Sequence, residues 1–213
     1  MRCRIKLLYK PEFSGWYMIF GILVILETEG GGSMEEFSCK TKIVSGADAL
    51  GALENLESKR LFVVSDPYFA ENGTAKQLAD RVKADAVRIF AGVQPDPAVD
   101  AVAAGAAELK EFAPDTVIAL GGGSAIDCAK AMVHFSGQQV YFVAIPTTSG
   151  SGSEVTDFAV LTHEKTKHPL VDARLRPDMA ILDASFFRLP LVLAQASPIF
   201  HSSCEGKLGI ALE

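Results

Sequence analysis

Between residues 40 and 146 the apolar positions fall into short, nearly continuous runs separated by longer amphipathic stretches. KTKIVSG, RLFVVSD, AVRIF, TVIAL and VYFVAIP are runs of the first kind, rich in Val, Ile and Phe, and each predicts a strand. ADALGALENLE, TAKQLADRVK, PAVDAVAAGAAELKEF and residues 124–135 place apolar side chains three and four apart, which predicts helices. DPYF, after the second strand, reads as a turn. Strands without polar alternation are buried on both faces. Their alternation with helices predicts βαβ units and a parallel sheet flanked by helices, an α/β fold. After Pro146 the rhythm breaks: TTSGSGSEVTD predicts a long loop, FAVLT and HPLVD a β-hairpin around HEKTK, and MAILD one more strand.

The start of the chain does not share this pattern. It runs from a basic segment, MRCRIKLLYK, through WYMIFGILVIL to the polar, glycine-rich ETEGGGS. The apolar run has eleven residues, short of the about 20 that a membrane-spanning helix needs. Three readings stand for residues 1–33. EGGGSM can be encoded by a purine-rich, ribosome-binding-like stretch followed by an ATG codon, which makes Met34 the true start and the rest a translated leader. A signal or anchor is the second reading, although no A-x-A cleavage site follows. A native extension is the third. We take the leader reading and expect the fold to occupy residues 34–190.

Composition narrows the function classes. The formal net charge is −6 and no basic block occurs, so nucleic acid is not an expected partner, and no membrane contact is expected. Cys3, Cys39, Cys128 and Cys204 lie far apart without a CxxC pair, which reads as reduced thiols in a cytoplasmic protein. His134, His163, His168 and His201 show no i, i+4 pair of the metal-binding kind and read as ordinary histidines.

Two loops carry the candidate chemistry. IALGGGSAIDCAK places Gly121, Gly122 and Gly123 between a strand and a helix, at the carboxyl end of a parallel strand where ligands bind. Glycines there let a phosphate reach backbone N–H groups, and the helix start adds unpaired donors and partial positive charge. Ser124 and Asp127 also have capping-box spacing, so a well-capped helix after a tight turn explains the segment without a ligand. The spacing is not that of G-x-G-x-x-G. AIPTTSGSGSEVT also follows a strand and offers Thr147, Thr148, Ser149, Ser151 and Ser153 as donors. Two such loops at adjacent strand ends can hold one pyrophosphate between them.

GGGSAIDCAKAM and IPTTSGSGSEVT, with VQPDP before and LRPDMAILD after, resemble in order and spacing the iron-containing (group III) alcohol dehydrogenases. The resemblance covers residues 34–190, and MEEFSCKTKIVSGADAL is most similar to the propanol-dehydrogenase branch. It implies a Rossmann-like N-terminal domain for NAD and a C-terminal helical domain for iron or zinc. By resemblance Gly122, Gly123 and Ser124 hold the pyrophosphate, and Thr147, Thr148 and Ser151 belong to the second cofactor loop. Lys167 matches a lysine that reaches the phosphates, or is a solvated hairpin lysine. Asp66 lies near the adenosine ribose, where it favours NAD over NADP, or is the N-cap before Pro67, or both. Asp127 either contacts the cofactor or stabilises the first turn.

The resemblance stops after Pro190. The tail, LVLAQASPIFHSSCEGKLGIALE, does not match the family's helix with its aspartate and histidine ligands, and His201 stands in the wrong context. Residues 191–213 read as a frameshift product or as the join to a lost remainder. The expectation is therefore NAD- and iron-dependent interconversion of short-chain aldehydes and alcohols by an enzyme that is a homo-oligomer at full length. This chain is expected to be an incomplete and inactive version of it, without metal ligands. The alternatives are a nucleotide-binding remnant without catalysis and the cofactor domain of a glycerol dehydrogenase or maleylacetate reductase.

Overall fold

Runs of branched and aromatic residues become strands because their side chains fill a pleated surface that helices cover on both sides. In chain order the strands are β1 (Lys42–Gly46), β2 (Glu57–Ser65), β3 (Lys83–Phe90), β4 (Thr116–Gly121), β5 (Tyr141–Pro146), β6 (Phe158–His163), β7 (Thr166–Val171) and β8 (Met179–Asp183). The helices are α1 (Pro67–Glu71), α2 (Thr74–Ala79), α3 (Val99–Phe112) and α4 (Gly123–Ser136). The structure is a computed structural model and describes residues 39–186 except Pro95, Asp96, Ala98 and Lys165. The expectations for residues 1–33 and 191–213, and the Pro-Asp pair of VQPDP, lie outside the described residues.

Six strands form one all-parallel sheet in the order β1-β8-β5-β4-β2-β3. β6 and β7 form the separate antiparallel hairpin that the sequence predicts. Alternate residues of each central strand enter opposite cores. Phe62, Val64, Val117, Ala119, Phe142 and Ala144 pack under α3 and α4. Leu61, Val63, Ile118, Leu120, Val143 and Ile145 pack with α1, α2 and residues 49–53. β4 is buried along its whole length. α4 is buried on nearly every side, because the sheet, α3 and the hairpin enclose it.

Three local expectations need correction. Ala49–Asn55 is a 3₁₀ helix, entered from Asp48 in a left-handed conformation; its buried Leu50 and Leu53 are three apart, the period of that helix. DPYF is not a plain turn: Pro67 opens α1, with its fixed φ at the first helical position. The helix predicted over TAKQLADRVK ends at Ala79. Arg81 and Val82 donate to Leu78 and Ala79 carbonyls, and Lys83 N–H already reaches Leu56 O to start β3.

The connections out of β2 and β4 leave in opposite directions along the sheet, β2 to β3 and β4 to β5. Such a reversal opens a crevice at the strands' carboxyl ends.

Candidate functional site: two loops at the strand reversal

Asp66 follows β2 at this crevice, and the glycine turn follows β4. The Asp66 N–H donates to Leu120 O at 3.3 Å, and the Gly122 N–H donates to Asp66 Oδ2 at 3.2 Å. Asp66 occupies the N-cap position of α1, but its side chain makes no cap bond. The N-cap reading is therefore right about position and wrong about the carboxylate, which is turned to the glycine turn. Burial pushes the Asp66 carboxyl above its ordinary value, against the opposing pull of the Gly122 N–H.

Gly121 has φ of +150°, and a β-carbon there would strike the Asp66 carboxylate and lie 2.6 Å from Ala125 Cβ. The turn passes between two packed groups, and only glycine fits. Gly122 is the N-cap of α4, and no side chain caps this helix. The Ser124–Asp127 capping box is thus not formed. Asp127 Oδ2 instead accepts the Val160 N–H of the hairpin at 3.0 Å. The start of α4 is left with unpaired N–H donors and the positive end of the helix dipole.

The second loop folds over the first. Thr147 N–H donates to Gly121 O at 3.0 Å, which ties the loop's entry to the turn. A β-carbon on Gly122 would come 3.2 Å from Thr148 Oγ1; one on Gly123 would come 3.0 Å from Ser151 Cβ and 3.3 Å from Ser151 Oγ. Thr147 is buried, whereas Thr148 and Ser151 are exposed. Asp66, Gly122, Gly123, Thr147, Thr148 and Ser151 are thus brought together, with Ser124 one residue into the helix. Lys167 stands apart from both loops in sequence, exposed on β7 opposite Thr162.

Lys130 has no exposed surface, yet carries an ammonium. Its Nζ donates to Thr156 O at 2.8 Å, Thr156 Oγ1 at 3.2 Å and Phe158 O at 2.8 Å. Burial pushes its pKa down to about 8; the nearby carboxylates of Asp127, Glu154 and Asp157 pull the other way, and Arg176 adds to the lowering. Burial likewise raises the carboxyls of Asp127 and Glu154. Sequence reading passed over Lys130 and the role of Gly121. The available signal was a lysine three residues after an aspartate inside AIDCAKAMV, a helix segment with no polar face.

This arrangement can bind a diphosphate: free N–H groups, a helix terminus and hydroxyls line a gap that β-carbons would fill. Among the described residues no three of His, Cys, Asp and Glu come together to hold a metal. No helix among them is long and apolar enough to cross a membrane. A mostly apolar groove between α3 and α4 is lined by Val99, Val102, Ala106 and Phe135, with Lys110 and Ser136 as its polar residues.

Comparison with known proteins agrees with this geometry. The family described as iron-containing alcohol dehydrogenase matches residues 40–184. A 1-propanol dehydrogenase of Citrobacter freundii is 42% identical over 157 residues, covering 70% of this chain and 42% of that protein. The chain therefore spans less than half of that relative. An iron-containing alcohol dehydrogenase of Thermococcus thioreducens superposes with a TM-score of 0.68 at 28% identity, over 78% of this chain and 51% of that one. A sulfoacetaldehyde reductase of Bifidobacterium kashiwanohense, solved in complex with NAD+, gives a TM-score of 0.63 at 27% identity, over 73% and 48%.

Proposed function

Because the chain belongs to the iron-containing alcohol dehydrogenase family, we propose that residues 40–184 bind NAD(H) for an enzyme that interconverts short-chain alcohols and aldehydes. The observation that carries this is the contact between two glycine-containing loops at the strand reversal, with Thr148 over Gly122 and Ser151 beside Gly123. The pyrophosphate accepts from N–H groups at the start of α4, where the helix dipole favours negative charge. Thr148 and Ser151 supply hydroxyl donors from the opposite side. Asp66 accepts from the adenosine ribose hydroxyls, and its charge disfavours a 2′-phosphate. Lys167 adds positive charge from the hairpin, and Asp127 serves the site through its bond to Val160.

NAD, when bound, supplies the hydride acceptor; the protein residues bind and orient it. The iron that the family name implies finds no ligands among the described residues, so the roles assigned to them are in cofactor binding. The similarity to a 1-propanol dehydrogenase supports a small alcohol or aldehyde as substrate. We assign the protein to the cytoplasm on the same reading.

The test is a fluorescence titration with NADH. Wild type is expected to saturate, and Gly122→Val to bind at least about tenfold more weakly, because its branched side chain would meet Thr148 and occupy the phosphate gap. A folded Gly122→Val with wild-type affinity would remove the pyrophosphate assignment.

A further inference from the structure

The loop that faces the glycine turn is held at both of its ends by the same strand–turn–helix unit. Its entry is fixed where Thr147 N–H donates to Gly121 O. Its exit is fixed by α4: Lys130 Nζ donates to Thr156 O, Thr156 Oγ1 and Phe158 O. Asp127, one helical turn earlier on α4, accepts from Val160 N–H. Residues three apart project from one face of a helix, so the pair grips alternate residues of the departing chain, 156, 158 and 160. Between the two anchors lie residues 148–155, of which Ser153 is itself buried and bonded to Asp127, so residues 148–152 form the span between the grips.

We propose that Asp127 and Lys130 are positioning residues, an internal clasp that sets the width of the gap between the two loops. The proposal rests on the dinucleotide reading above and adds to it a cause for the gap's dimensions. Neither side chain needs to touch the cofactor. Lys130 spends all three of its donors on the exit segment, and it has no surface from which to meet a ligand. Burial of an ammonium without such partners is strongly unfavourable, so the three acceptors and the lysine hold one another in place. The charges facing this ammonium are Asp127 on its own helix, Glu154 in the turn just before the gripped segment, Asp157 within that segment, and Arg176 from the approach to β8. Burial of this lysine lowers its pKa to about 8, and the three carboxylates oppose that lowering.

The test separates positioning from plain stability. Lys130→Met keeps the chain length and removes every donor; Lys130→Gln keeps donors on a shorter side chain. NADH affinity is measured by fluorescence on the full chain, well below each variant's thermal midpoint. Amide exchange is read over residues 149–158 and over β4. The expected result for Lys130→Met is NADH affinity weakened about tenfold or more, with faster exchange confined to residues 149–158. Lys130→Gln is expected between it and wild type. Affinity within twofold of wild type in a folded Lys130→Met variant, whatever its melting point, overturns the clasp and leaves Lys130 a buried structural lysine. Should both lysine variants fail to fold, Thr156→Val removes a single acceptor; a threefold loss supports the clasp and unchanged affinity overturns it. A wild-type chain that does not bind NADH overturns the dinucleotide reading, and the clasp with it; wild-type binding with unaltered variants overturns the clasp alone.

Discussion

One β-carbon separates a working glycine turn from a blocked one. Gly121→Ala places its methyl against Asp66 and Ala125 at a φ of +150°. It is expected to cost about 1–3 kcal/mol from backbone strain, with the clash in addition, read by urea unfolding. If Asp66 faces the ribose as proposed, Asp66→Gly is expected to raise NADPH affinity relative to NADH; an unchanged ratio in paired titrations would confine Asp66 to its bond with the Gly122 N–H. Cys128 shows the opposite kind of residue, one the fold silences. It has no exposed surface, and burial, with Asp127 and Asp66 nearby, pushes its thiol up to about 12. Peptide mapping after a thiol reagent at pH 8 is expected to find Cys39 modified and Cys128 untouched. The sequence made the glycines and hydroxyls legible because phosphate chemistry has a recognisable residue code. It hid what Asp127 and Lys130 do, because their partners are a backbone N–H, backbone carbonyls and a hydroxyl brought near only by the tertiary fold.

Elements were easier to read than contacts. The inner strands β4, β5 and β8 follow apolar runs because both faces are buried, whereas the edge strands β1 and β3 stay largely exposed. The misreadings lie where packing overrides local preference: Ala49–Asn55 winds as a 3₁₀ helix to seat Leu50 and Leu53 in the core. Asp115, just before β4, shows how elements are joined in register. It accepts from Ser58 Oγ at 2.5 Å, Lys59 N at 2.8 Å and Arg60 N at 3.2 Å, and so locks β4 to β2. Slight burial raises its pKa, but these three donors outweigh that and hold it below the ordinary 3.8. A carboxyl lowered by folding stabilises the fold above its unfolded value and loses that contribution as pH falls through its folded value. Asp115→Ala is therefore expected to cost about 1 kcal/mol at pH 7, a modest figure because the group is exposed. The gap between variant and wild type in urea unfolding is expected to close as pH drops below 3.8.

For the molecule as a whole, the gap between the two loops joins β2, β4, β5 and the hairpin, so a ligand bound there would brace elements from both cores. NADH at about one hundred times its dissociation constant is expected to add about 2.7 kcal/mol, or roughly 5–10 °C in thermal midpoint. A midpoint indifferent to NADH would argue against binding to the folded chain. The sheet's order has a different consequence, one of time. β1, the first of the described strands to be made, finds its sheet neighbour among them in β8, and Thr41 Oγ1 donates to Pro177 O across 136 residues of chain. A ribosome adding about 5–20 residues per second needs roughly 7–30 s to deliver that partner. Throughout that interval the nascent chain carries an unpaired strand edge while β2, β3, β4 and β5 are already able to assemble. Pairing at such sequence separation is slow in itself, because loop closure must precede any gain from the contact. β1, at one edge of the sheet, is therefore the last of these strands to be secured, and a pause in translation before residue 179 would leave the β5 edge uncovered and the core short of Met179 and Ile181.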